Sequence, residues 1–267
     1  MTQLGFDVNG IVYQDLRGIP TVALYLACKY DNIDIIDILL LYGANKNVLG
    51  SGSRMTPLQS ALERNNIDIV IRLLYPTENN DTVADPNTGI FYCKSVTALR
   101  HLILTGANLN ITDYEGKKFV DILFRSLNPN VELLKEALVH TDTAAKNKIG
   151  RNTLHNYLLK CRTFIDWKNI ILTILNSGAN INTVSYFDGT PLMIFLKRLA
   201  SETHIIERDH VLENDYLEIL MFLMGQGADP LITNKDHQNS FDIIIANRVA
   251  YENKNINRYQ LFGILSN

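Results

Sequence analysis

Nothing in this 267-residue chain pulls it toward a membrane, a disulfide framework or a nucleic acid. Its three cysteines, Cys28, Cys93 and Cys161, are far apart and odd in number, which argues against a disulfide framework and fits a reducing compartment, the cytoplasm. No apolar run approaches the ~18 residues a membrane span needs. The opening MTQLGFDVNG has neither the basic start nor the apolar core of a signal peptide. Charge is nearly balanced, 25 Lys+Arg against 28 Asp+Glu for a net −3, so no global field favours nucleic acid or anionic lipid. What remains is the composition of an ordinary folded protein, 46% hydrophobic and 20% charged with mean hydropathy near zero. The length suits one long domain or two short ones. Abundant asparagine and isoleucine point to an AT-rich genome and say nothing of fold.

One short word recurs. The leucine run at 39–41 ends in Gly43-Ala44-Asn45, and related words return at Gly106-Ala107-Asn108, Gly178-Ala179-Asn180 and Gly227-Ala228-Asp229. With a repeat period near 33 residues, these spacings leave room for two further repeats without the word, ending near Tyr75-Pro76 and Val139-His140. Both places follow apolar helical stretches, 67–74 and 131–138. The physical reason for the word is helix termination. Glycine takes the left-handed conformation that ends a second helix, and Asn or Asp tolerates the tight turn that follows. At the other end of a unit, Thr56-Pro57-Leu58 supplies a capping hydroxyl and a proline where its missing N–H costs little. Leu24, Ala27 and Cys28 are expected to face inward from a first helix, and Ile35, Ile36, Leu39 and Leu40 from a second. A two-helix unit cannot hide its apolar face alone, so such units stack.

The stretch VALYLACKYDNIDIIDILLLYGANKN, residues 22–47, resembles the ankyrin-repeat pattern, as do TPLQSALERNNIDIVIRLL at 56–74, GRNTLHNYLL at 150–159 and DGTPLMIFL at 188–196. The resemblance covers nearly the whole chain. It implies an all-α solenoid of stacked helix-turn-helix units with short finger hairpins. A single 1–267 domain is expected, with repeats at roughly 15–49, 50–80, 81–111, 112–143, 144–183 and 184–232 and a partial unit at 233–267. Gly5 to Asn9 reads as the end of a repeat whose helices lie upstream. The third unit is the weakest, with Pro86 and Gly89 in its first helix; the fifth carries about five extra residues around 161–167 and the sixth about sixteen at 199–214. More narrowly, drifting repeat lengths, long insertions and Asn/Ile/Asp-rich words such as NNIDIV are similar to the ankyrin proteins of poxviruses, and also to those of other large DNA viruses and some intracellular bacteria. Many poxviral members end in an F-box-like segment that docks a cullin ubiquitin ligase through its adaptor. Nothing after Asn239 has room for that segment, so the chain resembles a short member or the ankyrin portion of a longer one.

Chemistry is weakly supported. His204, Glu207 and His210 in HIIERDH gather near one face if helical, but the spacing is not HExxH and a solvated loop is the plainer reading. His155 sits where ankyrins place a structural histidine, which usually bonds the backbone of neighbouring turns. GSGSR at 50–54 lacks the lysine of a phosphate loop. Lys117-Lys118 and Lys146, Lys148 and Arg151 read as solvated tips. No metal or cofactor is implied, and the resemblance implies a non-enzymatic binding protein.

The family holds partners on finger tips and first helices. Tips here include Ser51, Ser53 and Arg54; Tyr114, Glu115 and Lys117; Lys148 and Arg151; Tyr186, Phe187 and Asp188; and His237 and Gln238. Exposed aromatics and arginine dominate interface energies, which singles out Arg54, Tyr114, Tyr186 and Phe187, with the alternative that Tyr186 and Phe187 pack on the neighbouring finger. The sole tryptophan, Trp167, is expected to anchor an insertion to the core. The partner implied is a host defence or signalling protein, blocked or presented for ubiquitin-dependent degradation, by a chain that is monomeric when free. A cellular or bacterial ankyrin scaffold and an enzyme working through the 199–214 insertion stand as the other two readings.

Overall fold

Two words 34 residues apart, Asp31-Asn32-Ile33-Asp34-Ile35 and Asn65-Asn66-Ile67-Asp68-Ile69, fold the same way. Asp31 and Asn65 take left-handed φ of 54° and 55°, a conformation that short polar side chains tolerate. The next residue in each, Asn32 or Asn66, caps a helix by accepting the N–H of Ile35 (3.1 Å) or Ile69 (3.3 Å). The sequence therefore writes the turn of a helical hairpin twice. The chain in this computed structural model is described over residues 7–14, 20–50, 54–162, 165–201, 213–253 and 256–266. Ser51, Ser53 and the HIIERDH segment lie outside those residues.

The chain divides into two compact units, 1–119 with 132–137, and 120–131 with 138–267. In the first, strands β1 (Ile11–Gln14) and β2 (Pro20–Val22) form an antiparallel pair with an irregularity between Ile11 and Tyr13. Helical hairpins follow: α1 (Ala23–Lys29) with α2 (Ile33–Leu41), and α3 (Pro57–Glu63) with α4 (Ile67–Leu74). The third first-helix, doubtful in sequence, is a single turn, α5 (Pro86–Gly89), capped by Asp85 and continued by a 3-10 turn at Ile90–Tyr92; α6 (Val96–Leu104) is its partner. Helices α7 (Phe119–Leu123) and α8 (Val131–Val139) straddle the division. The second unit contains α9 (Thr153–Lys160), α10 (Trp167–Asn176), α11 (Pro191–Ser201), α12 (Glu213–Gly225), α13 (Ser240–Ala246), α14 (Arg248–Glu252) and α15 (Arg258–Ser266). The fold class is all-α, of the helical-repeat solenoid type.

All four Gly words end a helix by one mechanism. Gly43, Gly106, Gly178 and Gly227 have φ between 81° and 106°. Around Gly43, its N–H reaches the Leu40 carbonyl (3.0 Å) and that of Ala44 reaches Leu39 (2.9 Å), the paired bonds of a Schellman motif. The same pair recurs at 106/107, 178/179 and 227/228. The following Asn or Asp then accepts the N–H two residues on: Asn45 from Asn47, Asn108 from Asn110, Asn180 from Asn182, Asp229 from Leu231, all at 2.8–2.9 Å. These Asx turns aim the chain into the next finger.

The asparagine four residues after the glycine links one repeat to the next. Asn182 accepts the Asp229 N–H (2.8 Å) and donates to the Gly227 carbonyl (2.9 Å). Asn47 likewise accepts from Asp85 and donates to the Val83 carbonyl. Asn9, four after Gly5, accepts from Asn45 (2.7 Å). An Asn182→Ala variant loses both bonds and should be ~1–2 kcal/mol less stable in denaturant unfolding, with Asn182→Asp, which keeps only the acceptor, between it and the parent.

Two helices without a Gly word, α4 and α9, are finished by buried cations. Lys46, fully buried, donates to the Tyr75 carbonyl at the end of α4 (2.6 Å), and burial pulls its ammonium down to about 8. Arg198 of α11, 5% exposed, donates through Nη1 to the Leu158 carbonyl (2.7 Å) and through Nη2 to that of Cys161 (2.5 Å) at the end of α9. Trp167 is buried and meets Phe222 edge to face at 5.3 Å, which makes it an anchor for α10 on α12. Leu24, Ala27, Cys28, Ile36, Leu39 and Leu40 face inward. Ile35 does not: it is 45% exposed, whereas Ile69, its equivalent one repeat later, is fully buried. No helix pair precedes α1 among the described residues, so nothing there covers Ile35.

Candidate functional site

Three fingers are built on one pivot. In Asp113-Tyr114-Glu115-Gly116-Lys117, the Asp113 N–H donates to the Lys117 carbonyl (2.9 Å), while the Asp113 carboxylate accepts from the N–H groups of Glu115 (2.8 Å) and Lys117 (2.9 Å). Asn147 does the same for Ile149 and Arg151, and Asn234 for Asp236 and Gln238. The fourth residue carries the positive φ: Gly116 at 77°, Gly150 at 80°, His237 at 58°. The finger at 185–189 closes through Ser185 N–H to the Gly189 carbonyl (2.9 Å), with Ser185 Oγ accepting from Asp188 (3.1 Å). At 50–55 the Gly50 N–H donates to the Met55 carbonyl (2.7 Å), and Arg54 takes φ 51°. The turns at 113–117, 147–151, 185–189 and 234–238 leave Tyr114, Lys148, Tyr186, Phe187 and Asp236 exposed to solvent. The pivots were readable as Asp or Asn three residues before Gly or His, a spacing that attention to the tips alone passes over.

The tip residues fall into distinct environments. Tyr114 is 95% exposed, beside the Lys117–Glu115 ion pair. Arg54 is exposed at its own turn. In the second unit, Arg151, Tyr186, Phe187 and Asp188 come together: Arg151 pairs with Asp188 at 2.6 Å, both mostly buried, and the Tyr186 N–H donates to the Ile149 carbonyl (2.9 Å). Lys235, two residues before His237, places its ammonium 4.4 Å from the Phe187 ring centre. Neighbouring fingers thus hold one another, yet Tyr186 and Phe187 remain 61% and 57% exposed. Fixed backbones with solvent-facing rings lose little entropy when a partner covers them. Arg151 and Asp188 are already engaged with each other, so their charges serve the finger's shape.

No helix among the described residues is long and apolar enough to cross a membrane, and no group of three potential metal-ligating side chains gathers among them. Cys28, Cys93 and Cys161 are free and buried. Burial pushes the thiols of Cys28 and Cys93 up to about 12, so neither is poised as a thiolate nucleophile.

The profile described as "Ankyrin repeats (3 copies)" matches residues 9–88. The fold of the wider chain is similar to the ankyrin repeat domain of Bcl-3, described as a unique member of the IkappaB protein family. That likeness has a TM-score of 0.55 and 18% identity over 82% of this chain and 92% of that one. An ankyrin repeat domain from Acinetobacter baumannii AYE aligns with a TM-score of 0.47, at 18% identity over 86% of this chain and 94% of that one. Identities this low speak of fold alone. Ankyrin repeats indicate a protein–protein interaction module, which agrees with the build of the fingers.

The helical-repeat frame also explains two polar side chains in first helices. In the capping box of α3, Gln59 accepts the Thr56 N–H (2.8 Å) and donates to the Thr88 carbonyl (2.9 Å) in the next repeat. His155 occupies the matching place in α9 and is fully buried. Its Nε2 lies 3.1 Å from the Gly189 carbonyl, so Nε2–H donates there. Nδ1 sits between the Asn152 N–H (3.3 Å) and the Asn152 Oδ1 (2.6 Å). A neutral ring accepts from the first; a protonated one would donate to the second. Burial decides for the neutral ring and, with repulsion from Arg151 acting the same way, holds the imidazole down to about 4 against the favourable bond to the Gly189 carbonyl. His155 is a structural tie between its own helix and the finger at 185–189.

Proposed function

We propose that the chain is a non-enzymatic viral binding protein. It captures a host defence or signalling protein in the cytoplasm of the infected cell through its finger tips, and acts by covering the partner's surface. Where a cullin-docking segment lies elsewhere in the natural protein, capture would also present the partner for ubiquitination. The observation that carries the reading is that Tyr114 in the first unit, and Tyr186 and Phe187 in the second, are solvent-facing rings on turns already fixed by their own hydrogen bonds. Arg54, Glu115, Lys117 and His237 supply polar contacts around them, and the Arg151–Asp188 pair sets the 185–189 finger's posture. The viral assignment rests on the Asn/Ile-rich repeat language and irregular repeat lengths. An ankyrin scaffold of cellular or bacterial origin shares the same surface physics and differs in its target.

Affinity capture from interferon-treated cell lysate, read by mass spectrometry, tests both parts. A defence protein should be enriched by the parent chain, and the combined Tyr186→Ala and Phe187→Ala variant should recover it ~30-fold less, the scale of a two-kilocalorie hot spot. Equal recovery by parent and variant rejects the contact patch. Enrichment of housekeeping proteins alone, from treated and untreated cells equally, favours the scaffold reading.

A further inference from the structure

Three fingers of the second unit, 147–151, 185–189 and 234–238, are joined edge to edge. The Tyr186 N–H bonds the Ile149 carbonyl (2.9 Å). A Cβ placed on Gly150 would stand 3.3 Å from Tyr186 Cδ1, so the Tyr186 ring starts against the first finger. On the other side the Lys235 ammonium lies 4.4 Å from the centre of the Phe187 ring. What frames these two exposed rings is charge of one sign. Lys148 and Lys235 are exposed on the outer fingers, and Lys197 of α11 reaches the Asp188 carbonyl (3.3 Å). None of the three forms an ion pair with a described residue. Arg151 is spent on Asp188, which leaves Asp236 as the exposed acid of these fingers. In a chain of net charge −3, this excess of cations is local. The finger at 113–117 in the first unit differs, because its Lys117 is neutralised by Glu115.

Unpaired lysines beside exposed rings call for an anion that also carries apolar surface. A nucleic-acid strand meets this only in part. Stacking of bases needs free ring faces, and one face of Phe187 is taken by Lys235. A strand also carries a phosphate at every nucleotide and would have to pass Asp236. A protein segment can set carboxylates opposite the lysines, apolar side chains on the rings and a hydrogen-bond donor at Asp236. Lysines are point charges on flexible stems, which suits carboxylates at adjustable spacing.

We propose that these three fingers bind an extended acidic segment of the partner protein, its carboxylates at Lys148, Lys197 and Lys235 and an apolar side chain on Tyr186 and Phe187. The inference rests on finger-tip recognition and gives the chemistry of what is recognised.

Selection of a phage-displayed library of random linear peptides on the full chain tests it. Recovered peptides should be enriched in Asp and Glu beside an apolar residue. A synthetic copy of the most enriched peptide should bind Lys148→Glu/Lys235→Glu ~10-fold or more weakly and keep its affinity for Lys148→Arg/Lys235→Arg. On the parent its binding should weaken as salt rises from about 0.1 M to about 1 M, a series that needs no variant. Both lysines are exposed, so circular dichroism of the variants should match the parent. A selection that enriches no peptide, or peptides without acidic residues, overturns the proposal, as does binding indifferent to the lysines and to salt. If such binding is still lost in Tyr186→Ala/Phe187→Ala, finger-tip recognition survives; if parent and that variant bind equally, both fall. A labelled oligothymidylate that binds more tightly than the peptide at the same salt also overturns the proposal and assigns the surface to single-stranded nucleic acid.

Discussion

Arg198→Met should destabilise the second unit by about 3 kcal/mol, and amide hydrogen exchange should report it as lost protection in α9 and α11. The guanidinium gives two charge-assisted bonds to the carbonyls of Leu158 and Cys161, at the end of a helix that lacks the glycine stop. Methionine matches its length and is cheaper to bury, and removing a buried ion can stabilise a protein when its partners leave with it. Here the partners are backbone carbonyls, which stay behind without donors at a cost of ~1–3 kcal/mol each. That residual penalty exceeds the relief from desolvation and sets the sign. Arg198→Lys, a single point donor in place of a fork, should lose about half as much. A variant as stable as the parent would mean that these carbonyls find other partners.

Acid should remove about 3 kcal/mol of stability between pH 6.5 and pH 4 through His155 alone. In the unfolded chain the imidazole titrates near 6.5, whereas in the fold burial lowers it to about 4. Between those values the unfolded state binds more protons, so stability rises with pH through the window and is lost as pH falls through it. The size follows from ~1.4 kcal/mol per unit of displacement. Gln59 shows which replacement tests this, because it makes the same two bonds in α3 with no titrating group. His155→Gln should therefore match the parent near pH 7 and flatten the acid limb in denaturant melts at pH 4 to 7. Parallel slopes for the two proteins would assign the acid sensitivity elsewhere.

How much of this was legible depended on whether the physics was local. The Gly-Ala-Asn words and the Thr56 cap act within a few residues, so their spacing alone gave helix ends that the coordinates repeat. His155 was legible as a structural tie because its position in the repeat is fixed. Lys46 and Arg198 were not, because each completes a helix 29 to 40 residues away, and nothing beside them in sequence marks a buried cation. Ile35 was misassigned because the apolar stripe of α2 reads the same whether or not a repeat precedes it. The pivots Asp113, Asn147 and Asn234 were visible as a recurring spacing, yet only the paired N–H bonds to each side chain reveal their role. For the tip aromatics, sequence placed them on fingers, and exposure separates Tyr114 from the partly engaged Phe187.

Recognition by finger tips is most directly tested by site-specific photo-crosslinking in lysate, with a benzophenone amino acid at position 114, 186 or 221. The account predicts one shared partner adduct from 114 and 186 and none from 221, an exposed position on helix α12 rather than on a finger. An adduct from 221 with silence at both finger positions would contradict it.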